Sequence, residues 1–126
     1  MNIFVTDPDP VKCARVLPDK HIVKMPLETC QMLAIVCSLK WGHGFGTIPK
    51  ADGQPYKTTT GAFRNHPCTI WANSFVNNWR WLLAHGFAMC DEYALRYGKP
   101  HTCFNTLHAA NEILPCADPQ GRSGKG

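Results

Sequence analysis

The side chains best suited to chemistry lie in one stretch near the start of the chain, from Asp19 to Gln31. In a helix, side chains three, four and seven positions apart share a face. This spacing aligns a polar row that consists of His21, Lys24, Glu28 and Gln31. An imidazole, an ammonium and a carboxylate in one partly buried row can transfer protons or attack a carbon centre. The alternative is a solvated helix face whose opposite charges only stabilise the helix.

A second anion-binding candidate precedes Pro67. Arg64 and His66 lie where a new helix is expected to begin, and the unpaired amides of a helix N-terminus bind phosphate. The same Asn-His-Pro sequence is also typical of a capping turn that binds nothing. Both interpretations remain open for this segment.

The tryptophans divide by position on the helix that follows. Trp71 and Trp79 are eight residues apart, on the apolar stripe, and are expected to pack in the core. Trp81 lies off that stripe and is therefore the candidate for stacking on a nucleobase.

Metal and cofactor sites are not expected. The potential ligands near the end of the chain, His101, Cys103, His108 and Cys116, have spacings that match no common zinc site. No Cys-x-x-Cys pair and no Walker, Rossmann or Gly-x-Ser-x-Gly motif is present.

Length and composition indicate one globular domain. The chain has 126 residues, of which 44% are hydrophobic and 10% aromatic, and this size supports a single core. No segment approaches the roughly 18 apolar residues of a membrane span, and the first residues do not resemble a secretory signal. Seven cysteines, an odd number, indicate reduced thiols and a cytoplasmic location. A net charge of +4 permits a nucleic-acid or phosphate partner.

Patterning predicts an all-α fold: a small helical bundle with two long helices, a long Gly-rich loop and a disordered tail. Asp9-Pro10 begins a short helix that ends near Val16. The predicted elements after it are a helix over 19–40 kinked by Pro26, a loop over 41–63, a long helix from about 67 to 97 and a last helix over 101–114. We assign residues 1–116 to one domain and 117–126 to a flexible tail.

These features resemble a family of small tailed-phage proteins, with similarity over about residues 1–115. The shared elements are an opening Met-Asn-Ile-Phe, an Asp-Lys-His helix start, Asn-His-Pro and a Trp four residues after that Pro. The chain is more distantly similar to the phage pyrimidine-dimer DNA glycosylases of the endonuclease V type. In those proteins the first long helix carries Asp-x-His, a catalytic Glu seven residues after the His, and a nearby Pro bend. His21, Glu28 and Pro26 reproduce this arrangement.

The resemblance implies an all-helical DNA glycosylase and AP lyase. In such an enzyme an amine attacks the sugar C1′ and forms a Schiff base, while a carboxylate, here Glu28, stabilises the cationic sugar. His21 and Lys24 are its expected neighbours. The implied partner is DNA or a nucleotide. The protein is expected to act in the host cytoplasm and not to attach to a membrane. The expected substrate contacts are Lys20, Gln31, Arg64, His66 and Trp81.

Two departures from the glycosylase pattern leave an alternative open. Those enzymes lose Met and expose a Thr amine, whereas Asn2 here favours retention of Met1. The Met1 α-amine, with a reference pKa of about 7.7–8.0, is then the expected nucleophile, and Lys20 or Lys24 is the substitute if burial lowers its pKa. Leu27 stands where those enzymes have an Arg. The alternative is a non-enzymatic nucleotide- or nucleic-acid-binding protein, for example one that sequesters a nucleotide signal.

Overall fold

A computed structural model describes residues 8–38, 42–50, 52–54, 56 and 66–114. This part of the chain contains five helices and no strand, which confirms the all-α prediction with two long helices. Met1, Arg64, part of the predicted loop and the predicted tail lie outside the described residues. The helices are α1 (Pro10–Arg15), α2 (Asp19–Cys37), α3 (Pro67–Ser74), α4 (Val76–Tyr97) and α5 (Phe104–Ile113).

The first two helices begin as the sequence predicts. The Asp9 carboxylate accepts hydrogen bonds from the amides of Val11 and Lys12 at 2.8 and 3.2 Å and so caps α1, with Pro10 in its first turn. Helix α2 begins at Asp19, directly after Pro18, and continues through Pro26. Pro26 lacks the amide that would bond within the helix, so the preceding turn has one hydrogen bond fewer.

Helix α2 ends at Cys37, three residues before the predicted end at Lys40. Ser38 is extended, and its hydroxyl donates to the Ile35 carbonyl at 2.8 Å. The backbone then folds back, and the amides of His43 and Gly46 bond to helix carbonyls at 2.8 and 3.0 Å. A Cβ atom at Gly42 would collide with backbone oxygens of α2. Glycine is therefore required for this return, which satisfies the carbonyls left unpaired at the helix end.

The single long helix predicted over 67–97 is wrong, because the chain breaks at Phe75. Phe75 has φ −141° and ψ 149°, so α3 stops at Ser74 and α4 starts at Val76. Polar side chains stabilise the break: Ser74 donates to the Ile70 carbonyl at 2.6 Å and Asn78 donates to the Trp71 carbonyl at 2.7 Å. Short polar side chains compete with helical hydrogen bonding in this way. The break leaves Phe75 70% exposed instead of in the core.

Helix α4 is the centre of the fold and packs against the other four helices. Gly86 allows close approach on two sides, because a Cβ there would lie 3.0 Å from side-chain carbons of both Thr29 and Leu107. The helix ends at Tyr97, where the sequence predicted, and the next residue, Gly98, has a left-handed φ of 72°. The largest fully buried side chains around α4 are Ile22, Met32, Leu33, Ile48, Leu82, Met89 and Leu107.

Candidate active site on the second helix

The predicted polar row of α2 runs from the surface into the protein. Lys24 is exposed, His21 and Gln31 are half-buried, and Glu28 is only 8% exposed. The change arises because the second half of α2 enters the core, where every residue from Met32 to the helix end is buried. Glu28 is thus a carboxylate at the boundary between a solvated helix face and the interior.

Lys24 and Glu28 form an ion pair one helical turn apart, with the ammonium nitrogen 3.8 Å from a carboxylate oxygen. The two partners differ greatly in environment. The Lys24 side chain is 70% exposed and the Glu28 side chain is 10% exposed. The pair therefore consists of an exposed cation and a largely buried carboxylate.

The solvent-facing side of α2 next to this pair is cationic and partly apolar. Lys20 is exposed one turn before Lys24, and Leu27 is 43% exposed one turn after it. Lys20 and Lys24 are arranged so that a polyanion lying along the helix can meet both ammonium groups. Leu27 offers no charge to such a ligand.

His66 caps the N-terminus of α3. Its Nδ1 atom accepts a hydrogen bond from the Cys68 amide at 3.1 Å, and Pro67 follows in the first turn. Of the two interpretations left open by the sequence, the structure shows the capping turn. A phosphate role for His66 stays a prediction, as does the role of Arg64, which lies outside the described residues.

The tryptophans differ from the sequence prediction in part. Trp79 is 5% exposed and packs in the core as expected. Trp71 is 37% exposed, because the break at Phe75 carries it away from the core stripe. Trp81 is half-buried, and its indole nitrogen donates to the Pro8 carbonyl at 2.7 Å. Base stacking by Trp81 stays a prediction.

Sequence reasoning missed Arg96, which joins three helices. Its guanidinium donates to the Arg15 carbonyl at 3.1 Å, at the end of α1, and to the Asp19 carboxylate at 2.9 Å, at the start of α2. It also donates to the Leu17 carbonyl at 2.8 Å and to Glu92 at 3.0 Å. The i, i+4 spacing of Glu92 and Arg96 was visible in the sequence, but the long-range contacts were not. Arg96 thereby links α4 to the end of α1 and the start of α2.

A buried cluster of thiols and one imidazole links α2 to the start of α5. The thiols of Cys30 and Cys103 are hydrogen-bonded, which raises the pKa of Cys30 and lowers the pKa of Cys103. His101 donates to the Val23 carbonyl at 2.8 Å. Burial by itself would lower the pKa of His101, but its hydrogen bonds with Cys103 and Val23 outweigh burial and raise it. The six described cysteines are free thiols.

None of the described helices combines the length and apolar character needed to cross a membrane. Within the same residues, no three His, Cys, Asp or Glu side chains are grouped in a way that could hold a metal ion.

Comparison with protein families gives one match. The family model described as pyrimidine dimer DNA glycosylase matches residues 1–105, which include all of α1 to α4 and the polar row of α2. Comparison with curated proteins and comparison with solved structures each gave no match.

Proposed function

Because the chain belongs to the pyrimidine dimer DNA glycosylase family, we propose that it is a DNA glycosylase and AP lyase that acts on damaged pyrimidines. The observation that carries this proposal is the environment of Glu28. It is a largely buried carboxylate on a helix whose solvent-facing side carries the ammonium groups of Lys20 and Lys24. Buried charges are retained mainly where they are paired or where they act on a ligand.

In the proposed reaction the Met1 α-amine attacks C1′ of the target nucleotide, after that nucleotide has left the base stack. The bond between C1′ and the base breaks, and the base leaves with the electron pair and takes up a proton. Opening of the sugar then gives a Schiff base between C1′ and the amine. Loss of a C2′ proton expels the 3′ phosphate by β-elimination, and water finally releases the amine.

Glu28 is proposed to stabilise the cationic sugar and the protonated imine, and to assist proton transfer during ring opening. Burial of Glu28 strengthens this effect, because the attraction between opposite charges is stronger in a low-dielectric environment than in water. His21 lies on the same face and is proposed as a second proton-transfer group. Lys20 and Lys24 are proposed to contact the backbone phosphates, which neutralises charge without reading sequence.

The proposed DNA substrate also indicates where in the cell the protein acts. DNA of a bacterial cell and of an infecting phage lies in the cytoplasm, and we propose that the protein acts there. This proposal rests on the DNA substrate implied by the family and on the resemblance to tailed-phage proteins.

Borohydride trapping tests the function directly, because borohydride reduces a Schiff base to a stable covalent adduct. The protein is incubated with duplex DNA that contains a pyrimidine dimer, with duplex that contains an abasic site, and with undamaged duplex. We expect adducts with the first two substrates. In the first we also expect scission of one C1′–base bond, after which that base stays joined to the other pyrimidine of the dimer. Peptide mapping of the adduct identifies the nitrogen that is bonded to C1′, which we expect to be that of Met1 and not that of Lys20 or Lys24. Binding to damaged DNA without any adduct would instead support the non-enzymatic alternative.

A further inference from the structure

Two cysteine thiols meet in the core between α2 and α5. Cys30 lies in the middle of α2 and is 1% exposed, and Cys103 directly precedes α5 and is 5% exposed. Both side chains belong to one core cluster, and the two helices pack against each other. The thiols are hydrogen-bonded to one another. Hydrogen-bonded sulfur atoms are already neighbours, so a disulfide between them closes over a short distance.

The turn that carries Cys103 is attached to α2. The Nδ1 atom of His101 accepts a hydrogen bond from the Cys103 amide at 3.0 Å, and its Nε2 atom donates to the Val23 carbonyl at 2.8 Å. Val23 precedes Cys30 by seven residues, which is about two helical turns. The Tyr93 ring packs edge-on against the imidazole, with ring centroids 4.7 Å apart. His101 therefore holds this turn along α2 and keeps Cys103 beside Cys30.

The two thiols differ in acidity. The hydrogen bond with Cys30 lowers the pKa of Cys103, and a hydrogen bond with His101 lowers it further, against the opposing effect of burial. The same bond between the thiols, together with burial, raises the pKa of Cys30. Burial alone raises the pKa of Cys37, on the same helix, to about 12. Cys103 thus favours the thiolate, the reactive form of cysteine, while Cys30 beside it keeps its proton.

We propose that Cys30 and Cys103 are a redox-sensitive pair that hydrogen peroxide oxidises to a disulfide. This inference goes beyond the proposed function and does not depend on it. Thr102, next to Cys103, is exposed, so a small oxidant approaches the pair from the connection between α4 and α5. The new bond joins α5 to α2 two residues after Glu28. In the cytoplasm such a disulfide is transient, because cellular thiols reduce it again.

The reaction has two steps. The Cys103 sulfur attacks one oxygen of the peroxide, the O–O bond breaks, and the departing hydroxide takes up a proton to give water. Cys103 is then a sulfenic acid. The Cys30 sulfur attacks the sulfenic sulfur, the S–O bond breaks, and the released hydroxide takes the proton of Cys30. In total, two thiols and one peroxide give one disulfide and two waters, so both sulfurs are oxidised and both peroxide oxygens are reduced.

Peptide mapping of the peroxide-treated protein tests this without any substitution. The full chain is reduced, freed of reductant, exposed to hydrogen peroxide for increasing times and then alkylated under denaturing conditions. Cys68 is the internal reference, because it is the most accessible of the described cysteines and would react first if access alone decided. We expect the Cys103 thiol to be lost at least about tenfold faster than the Cys68 thiol. The expected product is a Cys30–Cys103 disulfide that dithiothreitol reverses.

Three single variants separate the roles of the two thiols. Cys30→Ala removes the second thiol, so Cys103 should stop at the sulfenic acid, which dimedone captures, or continue to the irreversible sulfinic acid. Cys103→Ala removes the attacking sulfur, and Cys30 should then react no faster than Cys37. Cys37→Ala is the matched control, because it makes the same change at a buried thiol of α2. It should form the disulfide within about twofold of the wild-type rate.

Several results would contradict the inference. Faster oxidation of Cys68, with Cys30 and Cys103 still reduced, would overturn it. So would a disulfide from Cys90 to either thiol, since Cys90 lies in the same core cluster and burial raises its pKa to about 12. Irreversible oxidation of Cys103 in the wild-type protein without a bond to Cys30 would also overturn it. None of these measurements involves DNA, so the proposed function is tested separately.

Discussion

Two ion pairs with the same helical spacing differ in how exposed the cation is and in how closely it approaches its carboxylate. Lys24 and Glu28 pair on α2, and Glu92 and Arg96 pair on α4, in both cases four residues apart. The carboxylates are similarly buried, with side chains 10% and 16% exposed. The cations are not. The Lys24 side chain is 70% exposed and lies 3.8 Å from its partner, whereas the Arg96 side chain is 21% exposed and lies 3.0 Å from its partner.

This difference separates a structural pair from a pair that is suited to a ligand. Arg96 makes four hydrogen bonds, to two carboxylates and to two backbone carbonyls, so its donors are committed within the protein. Lys24 keeps most of its surface in water and can move onto a phosphate at little cost. The comparison indicates that burial of a carboxylate alone does not identify an active site. The exposure and the hydrogen bonds of the cation that pairs with the carboxylate are more informative.

The largest expected effect on stability comes from Arg96→Met, which keeps the length of the side chain and removes all four hydrogen bonds. Leaving the largely buried Glu92 carboxylate and two backbone carbonyls without this partner should reduce the free energy of unfolding by about 2–3 kcal/mol. For a domain of this size the melting temperature falls by roughly 10 °C. Calorimetry checks the shift. A melting temperature equal to that of wild type would contradict the structural assignment of the Glu92–Arg96 pair.

A smaller effect is expected for Asp19→Asn, because the Asp19 side chain is 72% exposed. Water screens its attraction to Arg96, and Asn still offers an oxygen to the guanidinium. The expected loss is about 0.5 kcal/mol or less, measured by denaturant unfolding. A loss as large as that of Arg96→Met would show that Arg96 acts mainly through this one carboxylate.

The smallest stability effect is expected for Lys24→Met, at about 0.3 kcal/mol for an exposed helix pair. Its effect should appear in DNA binding instead. If Lys24 contacts one phosphate, the slope of log affinity against log salt falls by about 1. Lys50→Met, at an exposed lysine in the loop after α2, is the control and should leave the slope unchanged. A slope that is equal in Lys24→Met and wild type would remove Lys24 from the DNA contact.

Much of this arrangement was predictable because it is local in sequence. The cap of α1 at Asp9, the end of α4 before Gly98 and the alignment of Lys24 with Glu28 follow from capping and periodicity. Helix α2 starts at Asp19 as predicted, but its N-cap residue is Pro18 and no side chain caps it. The break at Phe75 was missed because the apolar period continues across it, although the Asn and Ser residues around it are a signal. The contacts of His101 and Arg96 were missed for another reason. They join residues more than 70 positions apart, and hydrophobic periodicity carries no information about such pairs.

The central claim is that Glu28 acts in chemistry while Glu92 acts in structure, and one experiment compares them directly. Glu28→Gln and Glu92→Gln each remove a single charge from a similarly buried side chain. Both variants are measured for borohydride-trapped adduct with abasic DNA, for DNA affinity and for melting temperature. Glu28→Gln should lower the trapping rate by about 100-fold or more, the range typical of a proton-transfer group, with DNA affinity retained or increased. Glu92→Gln should lower the melting temperature and keep the trapping rate within about twofold of wild type. Wild-type trapping by Glu28→Gln, or its failure to fold, would contradict the assignment and identify Glu28 as a structural residue.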